Sequence, residues 1–170
     1  MIYLASDHRG FELKEKIKAW LKEWGYEYED MGAFTYDEDD DYPDFISKAA
    51  EKVSQDPNNS KAITLGGSGQ GEAMVANRYE GVRAAVFYGP SLGRSSFWYL
   101  FGESFLAGKM VRLRNALGKV VKLSREHNDA NVLSLGTFFL DDATAKKAIK
   151  LWLDTPFSGD ARHIRRISKF

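Results

Sequence analysis

The stretch Ala62-Ile-Thr-Leu-Gly-Gly-Ser-Gly-Gln-Gly-Glu-Ala-Met-Val-Ala-Asn77 decides how this chain folds. Its apolar start, Ala62 to Leu65, predicts a buried strand, and the four glycines that follow allow a tight turn that a ligand can approach closely. The residues from Ala73 to Asn77 predict the opening of a helix. A strand, a glycine loop and a helix N-terminus present free backbone N–H groups to an anion, either a phosphate or a developing oxyanion.

The same loop holds a hydroxyl and a carboxylate, those of Ser68 and Glu72, beside these backbone donors. The dinucleotide pattern G-x-G-x-x-G is not matched cleanly, and the lysine of a P-loop is missing. The glycines alone are therefore a weak signal, and the carboxylate is the feature that favours a catalytic site.

The length and composition of the chain limit the classes of protein to which it can belong. The chain has 170 residues, the size of a single domain, and 44% of them are hydrophobic, enough for a sizeable core. The formal net charge is zero, so bulk charge gives no reason to expect nucleic-acid binding. The absence of cysteine excludes disulfides, thiolate catalysis and zinc–thiolate sites. Without a signal-peptide pattern or a run of ~20 apolar residues, we expect a cytoplasmic protein with no membrane span.

Strand and helix patterns alternate along the chain. Apolar runs predict strands at residues 2–5, 26–31, 62–65, 82–88 and 132–135, and helical spacing predicts helices at about 11–24, 43–55 and 143–153. This alternation predicts an α/β fold, a parallel sheet with helices on both faces, in which ligands bind at the carboxyl ends of the strands. Asp7-His8 and Gly66 to Glu72 both follow strands, so we expect them at one edge of the sheet.

Three further groups of residues have both a structural and a functional interpretation. The acidic run Asp37 to Asp41 lacks the ligand spacing of an EF-hand, so we interpret it as a solvated loop and expect no metal site there. His127-Asn128 and the pair Asp7-His8 offer proton-transfer groups, although histidines more often have structural roles. Arg162 and Arg166 lie four residues apart, which suits either phosphate binding or a favourable interaction with a helix dipole.

Taken together, these groups include no nucleotide fingerprint, metal-ligand pattern or nucleophilic triad. They fit proton shuttling on a small phosphorylated substrate.

The motifs are Asp7-His8-x-Gly10, Asp41-Tyr42-Pro43, Gly66-Gly-Ser-Gly-x-Gly-Glu72, Ala76-Asn77, Gly81-Val-Arg83, Arg125-Glu-His127-Asn128 and Arg162-His163-x-x-Arg166. In this order they resemble the type B ribose-5-phosphate isomerases, whose wider family includes the galactose-6-phosphate isomerase subunits. The resemblance covers nearly the whole chain except about residues 89–119.

The resemblance implies a Rossmann-like three-layer sandwich with a five-stranded parallel sheet. It implies one isomerase domain over residues 1–170, in which the segment at about 89–118 is an insertion that the family lacks. The spacing of Met110, Leu113 and Leu117 predicts that this insertion is helical. The resemblance further implies a homodimer or homotetramer whose active sites are shared between subunits, and a reaction that needs no metal or organic cofactor.

The resemblance also implies roles for individual residues. Many members carry a cysteine as the isomerising base where this chain has Ser68, and in one branch a glutamate at the position of Glu72 is the base. Glu72 is then the proton acceptor, kept anionic and weakly basic by the helix dipole, His127 the acid that opens the sugar ring, and Asp7 its helper at the ring oxygen. The remaining implied ligands are Gly67, Gly69 and Gly71 for the oxyanion, Tyr42 and Asn128 for the sugar, and His8, Arg162 and Arg166 for the phosphate.

One departure concerns the phosphate site. Family members usually have an arginine where this chain has Phe138. Arg94, Arg112 or Arg114 of the insertion are candidates to replace its charge. Three other activities stay open: isomerisation of a hexose 6-phosphate such as allose or galactose 6-phosphate, sugar-phosphate binding without turnover, and binding of a nucleotide or flavin.

Overall fold

The computed structural model of the chain describes residues 1–89 and 118–170. Five parallel strands form one sheet in the order β2-β1-β3-β5-β4. They are β1 (Ile2–Ser6), β2 (Tyr28–Asp30), β3 (Lys61–Gly66), β4 (Ala84–Phe87) and β5 (Val132–Gly136). The parallel five-stranded sheet is confirmed. The edge strands β2 and β4 are shorter than the sequence predicted, and each has a hydrogen-bonded neighbour on one side alone.

Six helices lie in the described ranges, and their ends follow the sequence signals. They are α1 (Phe11–Glu23), α2 (Pro43–Gln55), α3 (Gln70–Ala76), α4 (described over 118–126), α5 (Asp142–Asp154) and α6 (Ala161–Ile167). Gly25, just after α1, has a positive φ of 76°, which glycine adopts without strain. Pro43 occupies the first turn of α2, where its missing N–H has no helical partner to lose.

The helices cover both faces of the sheet, because successive residues of each strand point to opposite faces. On one face, Ile63 and Leu65 of β3 pack with Ile17 of α1 and Trp152 of α5. On the other face, Ala62 packs against α2 in a cluster that includes Ile46, Ala49 and Val53. The result is the three-layer sandwich that the sequence predicted.

A buried lysine ties the edge strand β2 to the core. Lys14 of α1 is fully buried, and its ammonium group donates to Asp30 Oδ1 and, at 2.7 Å, to the Ala33 carbonyl oxygen. A buried charge needs such partners, because its desolvation is otherwise costly. These contacts fix the start of the loop that follows β2, which later carries Asp40.

Because the strands are parallel, all their carboxyl ends lie at one end of the sheet, called here the carboxyl edge, and all their amino ends lie at the opposite end, called the amino edge. The segments that leave β1, β3 and β5 lie at the carboxyl edge, and the segments that lead into these strands lie at the amino edge. In the described ranges, no helix has both the length and the apolar composition needed to cross a bilayer. The predicted helical insertion falls almost wholly on residues outside those ranges, so its boundaries stay a prediction.

Candidate active site

Asp7 lies at the carboxyl end of β1 and is almost completely buried, with 6% of its surface exposed. Its Oδ1 accepts hydrogen bonds from the backbone N–H groups of Arg9, at 2.9 Å, and Gly10, at 3.2 Å. Burial raises the pKa of Asp7 above the ordinary value of an aspartic acid, although these two donors act in the opposite direction. The turn therefore holds a carboxyl group in a fixed place with an increased affinity for a proton.

His8, the next residue, is fixed by a carboxylate from the acidic loop. Its ring Nδ1 lies 2.7 Å from Asp40 Oδ1, and its backbone N–H donates to the same oxygen at 2.9 Å. A carboxylate at Nδ1 requires the proton on that nitrogen, which leaves Nε2 for a ligand. The interpretation of the acidic loop as solvated is therefore wrong for Asp40, whose side chain is 8% exposed, although Asp37 and Asp39 are exposed.

Glu72 lies in the first turn of α3, which begins at Gln70, earlier than the sequence predicted. Gly69 precedes the helix with φ 74°, a left-handed conformation that favours glycine. Only 4% of Glu72 is exposed, and its Oε2 is buried without a hydrogen-bond partner among the described residues. Burial, reinforced by the charge of Asp7, raises the pKa of Glu72. Burial thus acts against the helix dipole, which favours the anionic form of Glu72.

The remaining predicted residues of the glycine loop surround this carboxylate. Ser68 Oγ accepts a hydrogen bond from the Gln70 N–H at 3.2 Å, and Ser68 is exposed. The Tyr42 ring, at the start of α2, lies against Gly71, where a methyl group would come within 2.7 Å of Tyr42 Oη. Gly71 therefore leaves room for this phenol.

An open cavity adjoins the loop. Its volume is about 380 Å³, and Ser68, Tyr88, Gly89 and Phe139 line it. This volume falls in the range typical of small-molecule sites. The carboxyl edge thus combines two buried carboxyl groups, an oriented imidazole and a glycine loop beside an open space.

The second group of predicted residues lies at the amino edge. His127 and Asn128 follow α4 and precede β5, so they sit where that strand begins. The imidazole of His127 stacks on that of His163 in α6, with ring centroids 4.2 Å apart and planes 17° apart. Burial lowers the pKa of His163, and the neighbouring His127 acts in the same direction. This stack brings Arg162 and Arg166 of α6 to the His127 side of the sheet.

One chain therefore does not unite all the predicted residues. Asp7, His8 and Glu72 lie at the carboxyl edge, and His127 and α6 lie at the amino edge, separated by the sheet. Strand β5 has five residues, which corresponds to about 16 Å between the two edges at roughly 3.3 Å per residue. A side chain cannot bridge this distance to take part in one reaction.

A cluster of possible metal ligands also occurs at the carboxyl edge. One oxygen or nitrogen atom from each of Asp7, His8 and Asp40 lies within 4.8 Å of the others. However, His8 Nδ1 is already bonded to Asp40, and Asp7 Oδ1 already accepts two backbone N–H groups. These contacts orient the imidazole of His8 and hold the carboxyl group of Asp7 against the backbone of the turn.

Comparison with known proteins identifies the family. The sequence profile described as Ribose/Galactose Isomerase matches residues 2–96 and 101–170. The chain belongs to this family. It is 37% identical over 166 residues to ribose-5-phosphate isomerase B of Mycolicibacterium paratuberculosis, with 98% of this chain and 86% of that relative covered.

Solved structures of family members agree with the fold. The crystal structure of ribose-5-phosphate isomerase B from Mycoplasma genitalium with bound ribulose-5-phosphate superimposes with a TM-score of 0.80 at 33% identity, covering 99% of this chain and 91% of that one. The Clostridium thermocellum ribose-5-phosphate isomerase B gives 0.77 at 33% identity, covering 99% and 93%. Family membership and the Rossmann-like fold are therefore confirmed.

Phe138 stands where members of this family usually have an arginine, and the structure shows its surroundings. Phe138 lies in the short helical turn after β5, with 63% of its surface exposed, and its N–H donates to the Gly67 carbonyl oxygen at 3.0 Å. The Arg9 guanidinium carbon lies 5.7 Å from the centre of the Phe138 ring. The three arginines first considered as replacements, Arg94, Arg112 and Arg114, lie outside the described residues.

Sequence reasoning missed three residues of the site. Asp40 was hidden in an acidic run, where nothing local separates it from its exposed neighbours. Gly66 was recognised as part of the loop, yet its role as the surface against which Glu72 packs depends on how the carboxylate folds back. Arg9 occupies the unspecified position of the motif Asp7-His8-x-Gly10, and its contact with Phe138 joins positions far apart in the chain.

Proposed function

We propose that this protein is an aldose–ketose isomerase that interconverts ribose 5-phosphate and ribulose 5-phosphate through an enediolate, with Glu72 as the base. The observation that carries the proposal is a buried carboxyl group with a free oxygen, set in a glycine loop of the ribose/galactose isomerase fold. A relative of the same fold, 33% identical, has been solved with bound ribulose-5-phosphate.

The proton moves between two adjacent carbons. In the aldose-to-ketose direction, the Glu72 carboxylate removes the proton from carbon 2, and the electron pair forms the carbon–carbon double bond of the enediol as the carbonyl oxygen at carbon 1 gains negative charge. The same carboxyl group then returns that proton to carbon 1, and the proton of the carbon-2 hydroxyl passes to the oxygen on carbon 1, so that carbon 2 becomes the carbonyl and carbon 1 a primary alcohol. The raised pKa of Glu72 suits this reaction, because it strengthens the carboxylate as a base.

The glycine loop stabilises the charge that develops on oxygen. Backbone N–H groups at Gly67, Gly69 and Gly71 surround the start of α3, and a preorganised donor of this kind is typically worth about 3 kcal/mol. Ser68 stands in the same loop with an exposed hydroxyl, which is available to the substrate. A positioned base contributes a further rate factor of about 10²–10⁴.

The separation of the two groups of residues supports a shared site in a homodimer, or in a tetramer built from such dimers. Glu72, Asp7 and the glycine loop of one subunit would face His127 and Asn128 of the partner subunit. His127 of the partner would open the sugar ring with Asp7 at the ring oxygen, and Asn128 and Tyr42 would bind the sugar hydroxyls. The tight stack of His127 on His163 gives the acid a fixed orientation.

The phosphate would lie at the far end of the open chain from the reacting carbons. His8 Nε2, oriented by Asp40, would donate to it when protonated, together with Arg162 and Arg166 of the partner. Such remote contacts hold the chain in the reactive geometry, so their binding energy contributes to orientation.

An isomerase assay on several sugar phosphates tests the proposal. Purified protein is incubated with ribose 5-phosphate, allose 6-phosphate and galactose 6-phosphate, and the ketose products are measured. We expect the highest kcat/KM on ribose 5-phosphate. A higher kcat/KM on allose 6-phosphate or galactose 6-phosphate would identify that hexose phosphate as the substrate in place of ribose 5-phosphate. Binding of all three sugar phosphates without turnover would identify a sugar-phosphate-binding protein and overturn the enzymatic proposal.

A further inference from the structure

We propose that Arg9 is a phosphate ligand of the substrate, aimed by the ring of Phe138. The identity of the anion rests on the proposed function. The contacts of Arg9 itself indicate a cation that is held in place for an anion.

The backbone of Arg9 is held from two sides. Its N–H donates to Asp7 Oδ1 at 2.9 Å, and its carbonyl oxygen accepts a hydrogen bond from Thr137 Oγ1 at 3.1 Å. The same hydroxyl lies 3.0 Å from the Gly66 carbonyl oxygen. The turn after β1, the end of β3 and the turn after β5 therefore meet at the base of this arginine.

The side chain of Arg9 is directed by the aromatic ring of Phe138. The guanidinium carbon is 5.7 Å from the ring centre, within the distance at which a cation is attracted to an aromatic face. The ring also lies against Gly67, where a methyl group would come within 2.5 Å of a ring carbon. Phe138 thus joins Arg9 to the glycine loop.

The charge of Arg9 has no carboxylate partner within salt-bridge distance in residues 1–89 and 118–170. Three other arginines in these ranges do have one, since Arg83 and Arg125 both pair with Asp129 and Arg162 lies 3.3 Å from Asp160, whereas Arg78, Arg165 and Arg166 are like Arg9 in having none there. Two acids next to this turn are engaged elsewhere, since Asp7 accepts the Arg9 and Gly10 N–H groups and Asp40 bonds His8. The exposed guanidinium therefore presents its charge at the carboxyl edge.

These contacts fit a phosphate better than a neutral group. The planar guanidinium offers forked donors that match two phosphate oxygens, and the attraction of its charge to an aromatic ring does not need a hydrogen bond from those donors. Arg9 also follows His8 directly, so a guanidinium and an imidazole of one turn can bind a single phosphate. The sugar phosphate would then extend from Arg9 and His8 towards Glu72.

The test uses three variants of the full-length protein: Arg9→Gln, Arg9→Lys, and Lys22→Gln as a control that removes an exposed positive charge from the far end of α1. The dissociation constant of inorganic phosphate is measured by calorimetry, and KM and kcat are measured with ribose 5-phosphate. We expect Arg9→Gln to weaken phosphate binding and raise KM by about 10- to 100-fold, with Arg9→Lys intermediate and Lys22→Gln unchanged.

A double-variant comparison tests the role of the ring. Phe138→Leu alone should weaken phosphate binding several-fold, and it should have almost no further effect when Arg9 is already glutamine. Unchanged phosphate binding in a folded Arg9→Gln protein would overturn the proposal. If the wild-type protein fails to isomerise ribose 5-phosphate while Arg9→Gln still loses phosphate affinity, the proposed function fails and the anion site stands.

Discussion

The carboxyl group of Glu72 packs directly against the Cα of Gly66, so that a methyl group on Gly66 would overlap Glu72 Oε1. This contact joins the last residue of β3 to the first turn of α3. It explains how the carboxylate is buried close to the glycine loop, where the substrate would bind.

The first prediction follows from that contact. Gly66→Ala should displace the Glu72 carboxylate and lower kcat for ribose 5-phosphate by at least about 10-fold, because a misplaced base loses most of its benefit. Gly118→Ala is the control, because the nearest atom to its new methyl group would be 3.8 Å away. Equal activity of the two variants in steady-state kinetics would show that the position of Glu72 does not depend on Gly66.

The second prediction concerns stability and pH. Because burial raises the folded-state pKa of Glu72, the fold favours its protonated form, and that contribution is lost as pH rises through the folded-state pKa. At pH 7.5, Glu72→Gln should therefore unfold at a higher temperature than the wild type, by about 2–4 °C for roughly 1 kcal/mol. The gain should vanish below the unfolded-state pKa of glutamic acid, near about pH 4.

Thermal unfolding monitored by circular dichroism at several pH values measures this difference. Glu51→Gln is the matched control, because Glu51 is exposed on α2. A destabilised Glu72→Gln protein at pH 7.5 would mean that the carboxylate has a stabilising partner.

Local sequence patterns predicted much of the fold. The apolar run before Gly66 and the glycines after it determine the strand, turn and helix, because each signal acts within a few residues. The amino-edge position of His127 was not predicted, although the sequence carries a signal for it, since the predicted strand begins five residues after His127. Contacts between distant segments could not be predicted from the sequence, because the burial of Asp40 and the pairing of Arg9 with Phe138 depend on how loops meet after folding.

The structure does not test several predictions from the sequence. The roles of Glu72, His127 and Asp7 in the reaction, the shared active site and the cytoplasmic location stay predictions. The burial of Glu72 and Asp7 supports their roles, because perturbed pKa values concentrate at functional sites.

The third prediction concerns the pair His8 and Asp40. Asp40→Asn should raise KM for the sugar phosphate several-fold and change kcat less, because the imidazole loses the charged acceptor that fixes its orientation. Asp39→Asn, an exposed neighbour in the same loop, should behave as the wild type. If the two variants have the same KM, then Asp40 does not position a phosphate ligand.

The fourth prediction tests the shared site by subunit mixing. Glu72→Gln and His127→Ala should each be inactive alone, and equal amounts of the two, unfolded and refolded together, should regain activity. Half of the random dimers are mixed, and each mixed dimer has one of its two sites intact, so we expect about a quarter of the wild-type activity. If every site were formed within one chain, the mixture would stay inactive.

The most direct test of the central claim is kcat for ribose 5-phosphate in the wild type and in Glu72→Gln. The glutamine keeps the shape of the side chain and cannot accept the proton from carbon 2. The wild type should turn over, and Glu72→Gln should lose at least about 10²-fold in kcat with little change in substrate affinity. A folded Glu72→Gln protein with near-normal kcat would contradict the assignment of Glu72 as the isomerising base.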